Sequence, residues 1–306
     1  AERVDLRRRR RVDPPEQPHG RRDARDLGGR ARGHRAHVRQ LLVHDADLAR
    51  HLAVHGASPV GAAESSPWVF SGFADEAGSS IEEQIEAHQA AGMTHIDLRN
   101  VEGFNITALP LDVAEEVKAK MDAAGMSCCM FGSPIGKIDV TDDLEIDLDR
   151  LRHLAKLIPI FGTNKVRMFS YHNQNDIPYD EFESQAIDRV TQLKALAKEL
   201  GLALYHENEK GIYGERLDAT LKLLETLRDG ESFFGIFDAS NFNQSGDDCW
   251  ENWLALRDHT DALHLKDSDD DGAHTPLGQG NGYYGRIMDD MVERGWSGPV
   301  VLEPHL

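Results

Sequence analysis

The chain has 306 residues, 40% of them hydrophobic, which is enough for one barrel-sized domain and an extension. Residues 1–66 carry 14 arginines and nine acids, a net charge of +5, whereas residues 67–306 carry 20 basic and 44 acidic residues, a net charge of −24. The acidic segment 67–306 repels the phosphate backbone of nucleic acids, so nucleic acid is not an expected partner. No run approaches the ~20 apolar residues that cross a bilayer, so a membrane is not an expected partner either.

Residues 1–66 differ in composition from the rest of the chain. Arg7 to Arg11 form an unbroken basic run, and the segment contains no lysine. Such blocks are usually solvated, so we predict an Arg-rich disordered extension outside the fold; a nucleic-acid arm and a transit peptide are the alternatives. A transit peptide is normally acid-poor, and no apolar run marks a secretory signal. Three cysteines without a CxxC pair favour a cytoplasmic protein.

From Pro67 onward, a helical stretch that ends at glycine is repeatedly followed by a short apolar run. A glycine at this place adopts a positive φ after the helix, and the apolar run is typical of a parallel strand buried on both faces. The predicted strands are Val69–Phe73, His95–Arg99, Ser127–Phe131, Lys165–Phe169, Leu202–His206, Phe233–Phe237, Asp261–Leu265 and Pro299–Glu303. Eight units favour a closed (β/α)8 TIM barrel over an open α/β sheet.

The segments between these strands carry helix signals. Ser80 precedes Glu83 by three residues, a capping box that predicts a helix up to Ala91. Residues 148–160 and 182–200 repeat apolar side chains at three- and four-residue steps. The chain stops at the eighth predicted strand, so the barrel of residues 67–306 is expected to lack its eighth helix. Either the extension covers that face, or the natural domain is longer.

Polar side chains stand at the carboxyl ends of the predicted strands, where a TIM barrel has its active site. The last four strands end with Glu207, Asp238, His264 and Glu303, so four successive strands each place a metal-binding side chain at the same height. Three carboxylates and one imidazole suit Mn²⁺, Co²⁺ or Mg²⁺ better than a thiolate-seeking metal. Glu209 points to the same side of its strand as Glu207 and is the alternative ligand there.

Six stretches resemble the sugar phosphate isomerase/epimerase family, which belongs to the xylose isomerase-like barrel superfamily. In chain order they are Phe70–Glu76, Ser133–Lys137, His206–Gly214, Phe237–Phe242, His264–Asp267 and Leu302–Leu306. The resemblance implies one divalent ion, Mn²⁺ first with Co²⁺, Mg²⁺ or Zn²⁺ as alternatives, bound by Glu207, Asp238, His264 and Glu303. It also implies that the two glutamates act as acid and base on opposite faces of a sugar.

This site predicts an enzyme, a metal-dependent isomerase or epimerase of a small sugar, sugar phosphate or polyol. Such a reaction removes a weakly acidic C–H proton beside a carbonyl; a metal stabilises the resulting enediolate, and glutamates shuttle the proton. Lys137, Arg167, His206 and Lys266 are candidates for binding substrate oxygens or a phosphate. Strand alternation turns His206 away from Glu207, so a packed, structural histidine is an equal explanation.

Other functions fit parts of the same pattern. Dehydration of a keto-inositol or dehydroshikimate-like acid, or cleavage of an oxidised glycoside, begins with the same proton abstraction. Ketose 3-epimerases of this superfamily carry a histidine where this chain has Asn241, which disfavours that activity. The DNA-repair endonuclease branch needs three zinc ions and a basic groove, which the charge of −24 opposes. A non-catalytic sugar-binding barrel is disfavoured by the intact ligand set, and a homo-oligomer is an alternative to a monomer.

Overall fold

The computed structural model describes residues 68–305, so the predicted extension lies outside the described residues. Its eight long strands are β1 Trp68–Gly72, β2 His95–Leu98, β3 Ser127–Phe131, β4 Lys165–Met168, β5 Ala203–Glu207, β6 Phe233–Asp238, β7 Ala262–Leu265 and β8 Gly298–Leu302. They form one parallel sheet in the order β1-β8-β7-β6-β5-β4-β3-β2. A parallel bridge between Phe73 and Asp97 joins β1 to β2, so the sheet is nearly closed. The predicted TIM barrel is confirmed.

Helices connect consecutive strands. They are α1 Ile81–Ala90, α2 Leu111–Ala123, α3 Glu145–Phe161, α4 Tyr179–Leu200, α5 Leu217–Leu227, α6 Ala239–Gln244, α7 Cys249–Leu256 and α8 Tyr284–Glu293. Both α6 and α7 follow β6, and no helix follows β8 within residues 68–305. The predicted capping box is present, because Ser80 Oγ accepts from the Glu83 amide and Glu83 bonds the Ser80 amide in return. None of the helices in this range is long and apolar enough to cross a membrane.

The loops contain short hairpins and 3-10 helices. Two hairpins pair Asn100–Val101 with Phe104–Asn105 and Asp267–Ser268 with His274–Thr275, and 3-10 helices span Ala74–Glu76, Ile106–Ala108, Tyr213–Glu215 and Arg257–His259. Beneath the carboxyl ends of the strands, a buried apolar cluster is formed by Met130, Ala203, Tyr205, Ile236 and Ala262. Because alternate residues of a strand point to the same face, the residues two positions after Tyr205, Ile236 and Ala262 lie directly above this cluster.

The loop after β3 packs tightly on the end of β4. Gly136 has a φ of +81°, and its carbonyl accepts a 2.7 Å hydrogen bond from the Tyr171 amide. A Cβ atom at Gly136 would collide with the carbonyl oxygen of Phe169, whereas one at Gly162, with a φ of +76°, would meet no atom within 4 Å. The two glycines share a positive φ and differ in the space available for a side chain.

Gly136→Ala should therefore destabilise the barrel more than Gly162→Ala. An alanine with left-handed backbone costs about 1–2 kcal/mol, which is all that we expect at Gly162. At Gly136 the collision adds a further loss of about 1–3 kcal/mol, as overpacking does in cores. Urea denaturation followed by circular dichroism would measure both variants against the native chain. Equal losses of unfolding free energy in the two variants would show that the loop after β3 shifts to accommodate the alanine Cβ without an energetic penalty.

Candidate active site

The four predicted metal ligands converge at the carboxyl ends of β5 to β8. One ligand atom each from Glu207, Asp238, His264 and Glu303 lies within 4.8 Å of all the others, and all four side chains are buried. His264 Nδ1 is 3.0 Å from Glu207 Oε1 and 3.7 Å from Glu303 Oε2. The structure thus brings together Glu207, rather than its alternative Glu209, with the other three. We call these four residues the ligand cluster.

The ligand cluster fits a divalent cation. Buried polar atoms are normally hydrogen-bonded, yet Asp238 Oδ2 and Glu303 Oε2 are buried without a hydrogen-bond partner. They lie 3.1 and 3.6 Å from Lys266 Nζ, but not in hydrogen-bond geometry. Carboxylate oxygens with free lone pairs beside one imidazole are ligands for Mn²⁺, Mg²⁺ or Zn²⁺. The residues present could therefore hold one such ion.

Two of the four predicted substrate-binding residues contact the ligand cluster. Arg167 Nη1 lies 3.2 Å from Glu207 Oε2 and 3.5 Å from Glu303 Oε1, and Lys266 Nζ lies beside Asp238. Arg167 is 5% exposed and its guanidinium lies over the Phe73 ring, 4.4 Å from the centroid. One rigidly held guanidinium thus connects both proposed acid–base glutamates.

The third predicted residue, Lys137, lies at the rim of the site. Its Nζ is 2.9 Å from Glu209 Oε2 and 4.1 Å from the centroid of the Phe169 ring. Arg167 lies near the same ring, 5.0 Å from its centroid. Lys137 and Glu209 therefore form an ion pair that borders the ligand cluster without joining it.

His206 is not brought to the cluster. It lies on the outer face of β5, where its Nε2 is 3.0 Å from Ser170 Oγ and its ring packs against Phe233. Burial lowers the pKa of His206 to about 3, so the ring is neutral. Strand alternation explains this position, and the structure supports the structural explanation of this histidine rather than a contact with substrate.

The His206→Ala variant should lose stability while keeping the metal site. Removing a fully buried ring leaves a cavity, which typically costs about 2–5 kcal/mol in the free energy of unfolding. Urea denaturation and the metal content of the folded fraction would check both expectations. A variant of native stability that no longer binds metal or substrate would return His206 to the site.

Arg99 is a site residue that was not predicted from the sequence. Its three nitrogens bind Asp75 Oδ2 at 2.9 Å, Glu76 Oε1 at 2.6 Å and Glu303 Oε1 at 2.7 Å. His305 Nδ1 also lies 2.8 Å from Glu76 Oε1. Glu76, Glu303 and His305 are close enough together to form a second metal-binding group. Arg99 already binds Oε1 of both glutamates, whereas Glu303 Oε2 lies near His264 without a hydrogen-bond partner. We therefore assign Glu76 and His305 to an ion-pair network and keep Glu303 in the ligand cluster.

Buried charges fix the protonation of the ligand cluster. Burial by itself raises the pKa of Glu303, but Lys266 and Arg167 outweigh it and lower that pKa to about 2. Burial also opposes ionisation of Glu207, yet His264 and Arg167 hold its pKa well below the usual range. Burial raises the pKa of Asp238 to about 7 despite Lys266. Both glutamates are therefore ionised at neutral pH.

Comparison with known families identifies the barrel. The family described as xylose isomerase-like TIM barrel matches residues 85–305. The chain belongs to this family. The matched segment contains all of the ligand cluster together with Arg99, Arg167 and Lys266. No curated protein matches the chain in sequence.

Solved structures show the same architecture. The probable 3-DHS dehydratase of Bacillus anthracis is 19% identical with a TM-score of 0.60, covering 73% of this chain and 87% of that one. The 3-keto-D-glucoside 4-epimerase of E. coli is 15% identical with a TM-score of 0.60, covering 76% and 91%. A xylose isomerase-like TIM barrel protein of Mycobacterium smegmatis in complex with magnesium is 18% identical with a TM-score of 0.60, covering 78% and 89%. At these identities the likeness shows the fold alone.

Proposed function

We propose that residues 67–306 form a metal-dependent enzyme that isomerises or epimerises a small sugar or polyol. The observation that carries this proposal is the convergence of Glu207, Asp238, His264 and Glu303 on one point at the barrel mouth. Neighbours in the same fold include a 3-keto-D-glucoside 4-epimerase and a protein in complex with magnesium. Mn²⁺ is our first choice of metal, because carboxylates and one imidazole are ligands that it accepts.

The chemistry follows from the positions of the two glutamates. A divalent ion at the ligand cluster would polarise a substrate carbonyl as a Lewis acid. One ionised glutamate removes the proton beside that carbonyl and, now carrying it, can return it to the neighbouring carbon, as isomerisation requires. Epimerisation requires that the other glutamate first takes up a proton from water and then donates it to the opposite face. Arg167 contacts both carboxylates and holds them in fixed orientations. Lys266, whose ammonium lies beside Asp238 and Glu303, would stabilise negative charge that develops on a substrate oxygen bound next to it.

Dehydration or lyase chemistry on a keto sugar or keto acid is the second candidate. Asn241 occupies the position where ketose 3-epimerases carry a histidine. Its Nδ2 donates to the Asn208 carbonyl at 2.8 Å and lies 3.4 Å from Glu207 Oε1, so it is engaged with the protein. A probable dehydratase among the structural neighbours is consistent with this candidate. Both candidate reactions begin with proton abstraction. The dehydratase or lyase then expels a leaving group, whereas the isomerase or epimerase returns a proton to carbon.

An exchange experiment in D₂O tests the proposal before the substrate is known. The Mn²⁺-loaded chain would be incubated with ketoses, aldoses and keto-inositols, and proton NMR would follow the C–H positions beside each carbonyl. Exchange with a new isomer supports the isomerase or epimerase, and exchange with loss of water or of an aglycone supports the second candidate. No exchange in a chain that holds its metal would contradict both.

A further inference from the structure

A cavity of about 690 Å³ lies at the barrel rim between the loops that follow β4 and β5. Its lining includes Gln174, Tyr179, Phe182, Tyr213 and Asp218. Its wall also includes Gly211, which follows Glu207 of the ligand cluster by four residues. Four residues span at most about 14 Å, so the Cα atom of Gly211 lies within that distance of Glu207, at the carboxyl end of β5.

The cavity presents an exposed aromatic surface with polar neighbours. Tyr179 is 59% exposed, and its ring centroid lies 6.4 Å from that of Tyr213, which is buried. Tyr213 is fixed by an edge contact with Phe182 at 5.8 Å and by a 2.9 Å hydrogen bond from its hydroxyl to Glu183. Gln174 and Asp218 are exposed beside these rings. A sugar ring has apolar C–H faces and polar edges, which this combination matches.

A chain of contacts connects the cavity to the ligand cluster. Arg167 contacts Glu207 and lies over the Phe169 ring, and Lys137 lies over the same ring and pairs with Glu209. Glu209 stands in the loop that continues to the cavity wall. His172 Nδ1 lies 2.8 Å from the Gly211 carbonyl and joins the loops after β4 and β5. These contacts therefore fix the position of the cavity wall relative to the ligand cluster.

We propose that this rim cavity is a subsite for the second sugar ring of a glycoside whose first ring reacts at the ligand cluster. The inference rests on the proposed sugar-directed function and narrows its substrate class from free monosaccharides to glycosides. Tyr179 would stack on the second ring, and Gln174 and Asp218 would bind its hydroxyl groups.

Isothermal titration calorimetry of the Mn²⁺-loaded full chain tests the subsite. The probes are glucose and the glucose disaccharides cellobiose, maltose and gentiobiose. We expect at least one disaccharide to bind about tenfold more tightly than glucose. Tyr179→Ala should remove that advantage without changing glucose binding, and Tyr179→Phe should retain most of it. Phe104→Ala is the matched control, because Phe104 is an aromatic residue of 40% exposure outside the cavity lining.

Three results would overturn the subsite. The first is equal affinity for glucose and every disaccharide. The second is an equal loss of affinity for glucose and for the preferred disaccharide in Tyr179→Ala, and the third is the same loss of disaccharide affinity in Phe104→Ala. Metal content measured on the same samples separates this failure from that of the proposed function. A chain that holds its ion but shows no disaccharide preference rejects the subsite alone, whereas a chain that binds no metal rejects the proposed function.

Discussion

The His264→Ala variant is expected to lose the bound divalent ion. His264 supplies the only nitrogen of the ligand cluster, and its Nδ1 lies 3.0 Å from Glu207 Oε1, facing the carboxylates that would share the ion. Without the imidazole, Lys266 competes for the remaining oxygens, since its ammonium lies 3.1 Å from Asp238 Oδ2 and 3.6 Å from Glu303 Oε2. Loss of an outer-shell partner already costs about 10–100-fold in metal affinity, so loss of a ligand should cost at least that.

Metal content after dialysis and thermal unfolding with and without Mn²⁺ would measure this loss. A ligand at 100 times its Kd stabilises the folded chain by about 2.7 kcal/mol, so Mn²⁺ should raise the Tm of the native protein and leave that of His264→Ala unchanged. His172→Ala is the control, because His172 also follows a barrel strand but faces the Gly211 carbonyl. Equal metal retention in His264→Ala and the native chain would contradict the ligand assignment.

The barrel was predictable because its strands are buried on both faces. A doubly buried parallel strand leaves a continuous apolar run, and the glycine that ends the preceding helix marks where that run begins. The prediction of Val69–Phe73 against the observed Trp68–Gly72 shows the usual uncertainty of one residue. The split of the connection after β6 into α6 and α7 was not predicted, since short helices carry little periodic signal.

The site was predictable only where strand position decides the outcome. Alternation along β5 correctly turned His206 away from Glu207, but it left Glu207 and Glu209 equivalent. The structure distinguishes the two glutamates because β5 ends at Glu207, and Glu209 beyond it forms an ion pair with Lys137. Arg99 was missed as a site residue because its contact with Glu303 joins residues 204 positions apart, which only closure of β1 and β2 against β8 creates.

Glu303→Gln is expected to lower turnover by about 10²–10⁴-fold, the usual contribution of a general acid or base. Glutamine keeps the shape of the side chain but cannot take up a proton as the carboxylate does. The same change removes the shared counterion of Arg99 at 2.7 Å, Arg167 at 3.5 Å and Lys266 at 3.6 Å. Arg99, Arg167 and Lys266 keep Asp75, Glu207 and Asp238 as partners, so the metal-free variant should lose less than the about 3–5 kcal/mol that a buried cation without any partner costs.

Glu209→Gln is the matched control for this variant. Glu209 pairs with Lys137 at the rim, and the pair is partly exposed, so its loss should cost at most about 1 kcal/mol and leave exchange nearly unchanged. The exchange rate in D₂O, the metal content and the urea midpoint would be measured on both variants. Native exchange in Glu303→Gln would contradict the acid–base assignment. Loss of exchange with the metal retained would assign proton transfer to Glu303, whereas loss of both would show that its main role is to bind the ion.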